Sequence, residues 1–347
     1  MSKINLKDKT LSELKDIFIN LNEKSFRAKQ VYKWIHQKNI NLISDITVLS
    51  KDLRDKLEKD YELSNMTILK RLDSKQDKTK KYLFLLKDKN IIESVMMKHK
   101  HGVTLCLSTQ VGCRMGCEFC ASTKDGLIRN LTAGEILDQV YQIENDLNID
   151  VSNIVLMGSG EPLDNYENVL KFLKMINSKD GHNIGFRHIT LSTCGVVGKI
   201  YELANENIPI TLSISLHSPY NDERKKIIPI AKKYNIEELI NACKYYIEKT
   251  NRRISFEYTL IEGVNDRKKD AYKIAEIIKG MLAHVNLIPL NDINETNFNK
   301  SNNKNVIKFK NILLEKGINA TVRKEMGSDI NAACGQLRRD YLRNKDN

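Results

Sequence analysis

Between Leu11 and Tyr61 apolar residues recur at helical spacing. Leu11, Leu14 and Ile17 share one face, Val31, Trp34 and Ile35 share another, and LSKDLRDKLEKDY forms a third segment that Ser50 can cap. The period then shortens: KKYLFLLKD, NIIESVMMKHK and GVTLCLSTQ read as short strands separated by charged turns. From about residue 102 strand-like and helical runs alternate. The strand-like runs are VTLCLST, NIVLMG, RHITLST, ITLSISLH, ISFEYTLI, HVNLIPL and a shorter NATVR. Helices are expected between them at about 132–147, 165–178, 196–206, 235–249, 267–281 and 303–316. This alternation calls for parallel strands joined by crossover helices. About six such units give an α/β fold of the open (β/α)6 partial-barrel type, with ligands at the C-terminal ends of the strands. The expected organisation is a mainly helical N-terminal module at 1–95, the barrel core at 96–325 and a tail at 326–347 with no obvious strand partner. The polar segment NDINETNFNKSNNKN at 291–305 reads as a loop.

Composition narrows the setting. No apolar run approaches the ~18 residues of a membrane span, and the first residues lack a secretory core, so the cytoplasm is expected. The net charge of +12 is uneven: residues 1–100 carry 23 Lys and Arg against 14 Asp and Glu, the remainder 33 against 30. A basic module joined to a near-neutral one suits a polyanionic partner, although a solvated Lys-rich surface has the same composition. Four of the seven cysteines, Cys106, Cys113, Cys117 and Cys120, fall within fifteen positions. An odd, crowded set in a chain of this size is a poor disulfide framework and a good one for metal or redox chemistry.

The segment VGCRMGCEFCAST carries Cys113-x3-Cys117-x2-Cys120 directly after a strand, where a barrel places its site. Three thiolates on a short loop can bind three irons of a [4Fe–4S] cube, leaving one iron open to a chelating small molecule. Structural zinc requires four closed ligands, and no second pair stands at suitable spacing, His99 and His101 lying upstream on an expected strand.

This motif, with Phe119 before its last cysteine, resembles that of the radical S-adenosylmethionine (SAM) enzymes, in which SAM chelates the open iron and is cleaved by one electron. The MGSGEPL loop is similar to the family's GEP loop, which implies that Gly160 and Glu161 meet the SAM amino group. The resemblance extends to further strand ends, Ser192, Ser215-Leu216-His217 and Asn291, as SAM contacts. DINAACGQL around Cys334 resembles the signature of RNA adenine methyltransferases, and the likeness covers nearly the whole chain. It implies that Cys334 accepts a methyl group from one SAM, that a radical made from a second SAM activates this methyl group for addition to adenine, and that Cys106 resolves the protein–RNA adduct by forming a disulfide with Cys334. Glu93 aligns with the family's proton acceptor. The implied partners are 23S rRNA, tRNA and a flavodoxin- or ferredoxin-type electron donor, with no need for a partner subunit. Arg338, Arg339 and Arg343 join the basic module as candidate phosphate contacts. Cys194 and Cys243, in apolar surroundings, read as structural.

Pro162, QVGC at 110–113 and LIPLN at 287–291 resemble the adenine-C2 enzymes rather than the C8-modifying resistance branch. Met326, Asn331 and Ser159 depart from common family residues, which bears on how the tail is tethered and how RNA docks. From other classes, a non-catalytic iron–sulfur RNA-binding protein would need neither Cys106 nor Cys334. A glycyl-radical activase would lack the AACGQL tail and the basic module.

Overall fold

The computed structural model describes residues 3–63, 66–100, 102–291, 298–333 and 335–336. The chain begins with β1 (Ile4–Asn5), α1 (Leu11–Asn20), α2 (Phe26–His36), α3 (Lys51–Asp60) and β2 (Tyr61–Glu62), which pairs in parallel with β1. Thr10 and Glu13 form a capping box on α1, and the Ser50 hydroxyl accepts from the Leu53 N–H at the start of α3. Leu14, Phe18, Val31, Ile35, Leu53 and Leu57 then face a core continuous with that of the rest of the molecule. A buried Lys7–Asp138 ion pair ties this module to the first barrel helix.

Three antiparallel strands follow, β3 (Thr67–Asp73), β4 (Lys80–Leu85) and β5 (Ile91–His99), the last pairing with β6 (Gly102–Cys106). A hairpin of β7 (Gln110–Gly112) and β8 (Leu127–Asn130) precedes α4 (Ala133–Leu147). The chain then runs through β9 (Asn153–Leu156), α5 (Tyr166–Ile176), β10 (Ile189–Thr193), α6 (Val197–Asn205), β11 (Thr211–Ser215), α7 (Asn221–Ile227) and α8 (Ile236–Thr250). It closes with β12 (Ile254–Leu260), α9 (Lys268–Ile277), β13 (Ala283–Pro289), α10 (Asn303–Glu315) and β14 (Ala320–Val322).

Strands β6 and β9 to β14 are mutually parallel and form the expected open barrel of βα units. β5, β4 and β3 extend its β6 edge into one ten-stranded sheet. The boundary expected at residue 95 therefore falls inside β5, and the strands assigned to the N-terminal module share the sheet of the core. The sequence pattern does not show the short β1–β2 pair, β3, whose interleaved charges mark an exposed edge strand with a bulge at Ile68–Lys70, the β7–β8 hairpin, or α7. No described helix is long and apolar enough to cross a membrane.

Candidate functional site

The hairpin of β7 and β8 holds the cysteine loop at its tip. The Cys113 N–H donates to the Gly126 carbonyl at 3.0 Å, and the Thr123 hydroxyl reaches the carbonyls of Cys117 and Cys120 at 3.3 and 3.1 Å. Glu118 N–H donates to Ile227 at 3.1 Å, which pins the loop to α7. Cys113, Cys117 and Cys120 all line one cavity of about 950 Å³ of atom-free space, part of it open to solvent. Gly160, Glu161, Ser192, Ser215, His217 and Asn291 line the same cavity, so the parallel strands deliver these side chains to one place. Leu216 is instead buried in the core.

Burial and the neighbouring thiol and carboxylates push the Cys113 thiol up to about 12, and Cys117 is raised well above its ordinary value for similar reasons. These are uncharged thiols in a protein-only environment; a bound metal reverses that preference, because a coordinating thiol is deprotonated. Among the described residues no three His, Cys, Asp or Glu side chains are placed to hold a single metal ion. A cube takes one thiolate per iron and spreads its ligands apart.

The surroundings suit that anionic load. Arg224, on α7, is fully buried and donates from Nε to Leu216 O at 3.1 Å and from Nη2 to Cys194 O at 2.7 Å and Ser215 O at 3.0 Å. Its Nη1 has no partner, and it makes no ion pair with a carboxylate among the described residues. A buried cation needs compensation, and the groups whose charge would supply it include the thiols of Cys194 and Cys117. The donor set and the orphaned guanidinium nitrogen together fit a thiolate-ligated cluster.

Glu161 lies 4% exposed, its oxygens accepting from Cys194 N–H at 2.8 Å and Leu163 N–H at 3.0 Å. Burial raises its pKa against these hydrogen bonds, so a cationic ligand would stabilise its charged form. Gly160 adopts φ +107°, and a Cβ there would stand 2.6 Å from that of Gln110, whose Oε1 accepts from the Glu161 N–H. His217 Nδ1 accepts from Thr259 N–H at 2.8 Å, so the neutral ring carries its proton on Nε2. Burial lowers its pKa to about 3, and the ring packs edge-on against Phe119 with centroids 4.6 Å apart.

Cys106 lies elsewhere. It lines a second cavity with Val95, Met97, His99, Ala332 and Ala333. The two cavities share Met157, Ile288, Pro289, Asn291 and Arg323 as a common wall. Cys334 is outside the described residues, as are Arg338, Arg339, Arg343 and His101; Ala333 before Cys334 lines the second cavity and Gly335 after it lines the first. Gly335 O accepts from Ala121 N–H, on the cysteine loop, at 2.8 Å. Glu93 opens onto neither large cavity. It borders a small pocket with Ser122 and Asp125 and pairs with Lys81 Nζ at 2.9 Å.

Some placements go beyond what the sequence shows. Cys194 is buried, as expected of a structural cysteine, but it also lines the first cavity, and its N–H holds Glu161. Cys243 is fully buried in the core. Glu257 lines the first cavity and accepts from Ser213 Oγ at 2.7 Å, Ser255 Oγ at 2.9 Å and Asn286 Nδ2 at 2.8 Å. Arg224 had no signal in its charged neighbourhood, NDERKK, which reads as a solvated helix.

Comparison with known proteins follows these divisions. Residues 107–275 match the radical SAM superfamily, and residues 4–63 match a ribosomal RNA large subunit methyltransferase N-terminal domain. The chain is 57% identical over 339 residues to a probable dual-specificity RNA methyltransferase RlmN of Clostridioides difficile, spanning 98% of each chain. It is 54% identical over 340 residues to the protein of the same name from Clostridium novyi, spanning 98% of this chain and 99% of the relative. A crystal structure of a radical SAM methyltransferase from Sphaerobacter thermophilus superimposes with a TM-score of 0.93 at 40% identity, covering 96% of this chain and 99% of that one.

Proposed function

The chain belongs to the radical SAM superfamily and, within it, to the dual-specificity RNA methyltransferases of the RlmN type, and from that premise we propose that it methylates C2 of adenosine 2503 in 23S rRNA and of adenosine 37 in tRNA. The observation that carries this reading is the shared wall between two cavities. One gathers three cysteine thiols and a buried carboxylate; the other holds Cys106 and the chain leading to Cys334.

Adenine C2 is electrophilic, so a methyl sulfonium cannot alkylate it directly, whereas a thiolate accepts a methyl group readily. Cys113, Cys117 and Cys120 would hold the [4Fe–4S] cluster, with Gly160, Glu161, Ser192, Ser215, His217 and Asn291 around SAM and Leu216 behind them in the core. When bound, that pair supplies a one-electron cleavage of SAM that removes hydrogen from a methyl group. Cys334 carries that methyl group on sulfur, and its methylene carbon bonds to the adenine ring. The adduct gives up one electron, for which the oxidised cluster would be the acceptor, and the ring proton, the latter to Glu93. The Cys106 thiolate attacks the Cys334 sulfur and forms a disulfide; the electron pair of the broken sulfur–carbon bond stays on the methylene carbon, which takes up a proton and leaves as the methyl group of the free base. Two electrons must reduce that disulfide before the next turnover, so an electron donor of flavodoxin or ferredoxin type is part of the proposal. So are a cytoplasmic location and a monomeric enzyme.

Support for RNA as substrate lies in the basic first hundred residues, and a base must leave its stack to reach residues that line a cavity. Anaerobic incubation with SAM, reductant and RNA, followed by nucleoside mass spectrometry, tests the reading. 2-Methyladenosine is expected, together with a one-carbon adduct on Cys334. 8-Methyladenosine would move the chain to the resistance branch, and SAM cleavage with no methylated nucleoside would overturn the RNA substrate.

A further inference from the structure

Strand register puts Lys81 of β4 opposite Val95 of β5, and Val95 opposite Cys106 of β6. Glu93 is two residues from Val95 and therefore on the same sheet face. One face thus carries Lys81, Glu93 and Cys106, with Lys81 and Cys106 two strand spacings apart, roughly 10 Å. Lys81 and Glu93 are 5% and 6% exposed and their charged ends lie 2.9 Å apart. A second Lys81 hydrogen bond, 3.1 Å long, goes to the carbonyl of Asn331, three residues before Cys334.

That contact ends a longer clasp. The turn between β3 and β4 grips the tail from outside: Gly327 N–H donates to Asp77 at 3.0 Å, and Ser328 Oγ to Gln76 at 3.2 Å. Asp329 accepts from the Ser74 hydroxyl and the Lys75 N–H, both at 2.8 Å. Most of these bonds lie at exposed positions, whereas Lys81 reaches the buried face. Asn331 takes a left-handed φ of +50°, which turns its carbonyl away from a regular helical path.

We propose that Lys81 is a positioning residue for the RNA methylation: it keeps Glu93 a charged carboxylate at a buried site and fixes it to the chain segment leading to Cys334. The inference rests on the function proposed above and deepens it. A carboxylate taken out of water stays ionised only with compensating charge or hydrogen bonds, and removing the ammonium 2.9 Å from Glu93 takes away the ion-pair part of that compensation. Glu93 ready to take a proton must be unprotonated before the adduct forms, and Lys81 supplies the compensating charge. The same ammonium ties that readiness to a docked tail.

The experiment uses the full-length holoenzyme with RNA, SAM and reductant. It follows three quantities: the one-carbon adduct on Cys334, the covalent protein–RNA adduct, and released 2-methyladenosine. Lys81→Met is expected to keep the Cys334 methyl at the wild-type level, accumulate the protein–RNA adduct and release product about 10²-fold more slowly, the scale a positioned base contributes. Lys81→Arg, which keeps the charge, should recover most of the release. Glu93→Gln should show the same stalled adduct, and Lys81→Met/Glu93→Gln should be no slower than Glu93→Gln alone, because Lys81 acts through Glu93. Should Lys81→Met fail to retain the cluster's visible absorbance, Lys81→Gln asks the same question with a donor for Asn331 but no charge. Release at the wild-type rate, loss of product without an adduct, or multiplicative slowing in the double variant overturns the proposal. A wild-type enzyme that never methylates Cys334 overturns the underlying function instead, and the inference with it.

Discussion

The two cavities share a wall but are built by different means. The first is made by the ends of parallel strands, and its polar groups are buried and tied to backbone: Glu161 to Cys194 and Leu163, His217 to Thr259, Arg224 to three carbonyls. The second is largely apolar, lined by Val95, Met97, Val155, Met157 and Ile288, and is closed by a tail held through contacts mostly at the surface. Buried hydrogen-bonded networks fix a geometry; exposed hydrogen bonds contribute little each and release readily. A reactive intermediate needs the first kind of site, while a macromolecular substrate that enters, becomes covalently attached and leaves needs the second.

Replacing Arg224 with Met is the severest test of that contrast. The substitution strands the Leu216, Cys194 and Ser215 carbonyls in the core and removes the cation beside Cys117. At about 1 kcal/mol or more for each stranded carbonyl, a loss of about 3 kcal/mol is expected, read as a lower melting temperature of the apoprotein. Where the holoenzyme survives, loss of a positive charge disfavours adding an electron nearby, so an EPR redox titration should find a more negative midpoint potential. An unchanged melting temperature would mean that the first cavity is not stiffened by its buried network.

Gly160→Ala is milder and local. The added Cβ would meet the Gln110 Cβ at 2.6 Å and its N at 2.8 Å, at a φ of +107° that side chains avoid. Relief requires the loop to shift by part of an ångström, at about 1–3 kcal/mol. Because Gln110 holds the Glu161 N–H, the expected result is weaker SAM binding by calorimetry, with little change in Cys106 alkylation at the second cavity. Equal disturbance of both would show that the shared wall couples them rigidly.

The same contrast governs what the sequence disclosed. Strands β9 to β13 announce themselves by apolar runs ending in Ser192, Ser215 and Asn291, and a parallel sheet sends every strand end to one rim, so order along the chain becomes proximity in space. Arg224 and Glu257 were hidden, because burial of a charge is decided by neighbours that no local pattern names. The second cavity depends on Asp77 meeting Gly327 and Lys81 meeting Asn331, in each case 250 residues along the chain. The β3–β4 turn reads as an ordinary solvated SKQDKTK, and only its antiparallel place beside β5 brings it to the tail.

The smallest effects should come from the clasp itself. The Lys75 N–H and the Ser74 hydroxyl hold Asp329 below the usual carboxylate range. At Asp77 burial acts upward, but hydrogen bonds from Thr79 in its own turn and from Gly327 of the tail outweigh it; the net shift is again downward, and the Gly327 part of it depends on docking. A carboxylate whose pKa is depressed by docking favours the docked state wherever the free side chain would already be ionised, and that advantage disappears as pH falls through the depressed value. The free value for Asp is about 4, so the clasp should be indifferent to pH between 6 and 8 and open only under acid conditions. Hydrogen exchange of residues 327–333 measures this directly: protection constant through neutral pH and lost in acid while β9 to β13 remain protected. Asp329→Ala should mimic the acid state at pH 7.5, with faster exchange in that segment, an unchanged melting temperature and product formation reduced no more than a few-fold. If protection instead falls between pH 8 and 6, a group titrating near neutrality governs the tail, and the two aspartates are not what holds it.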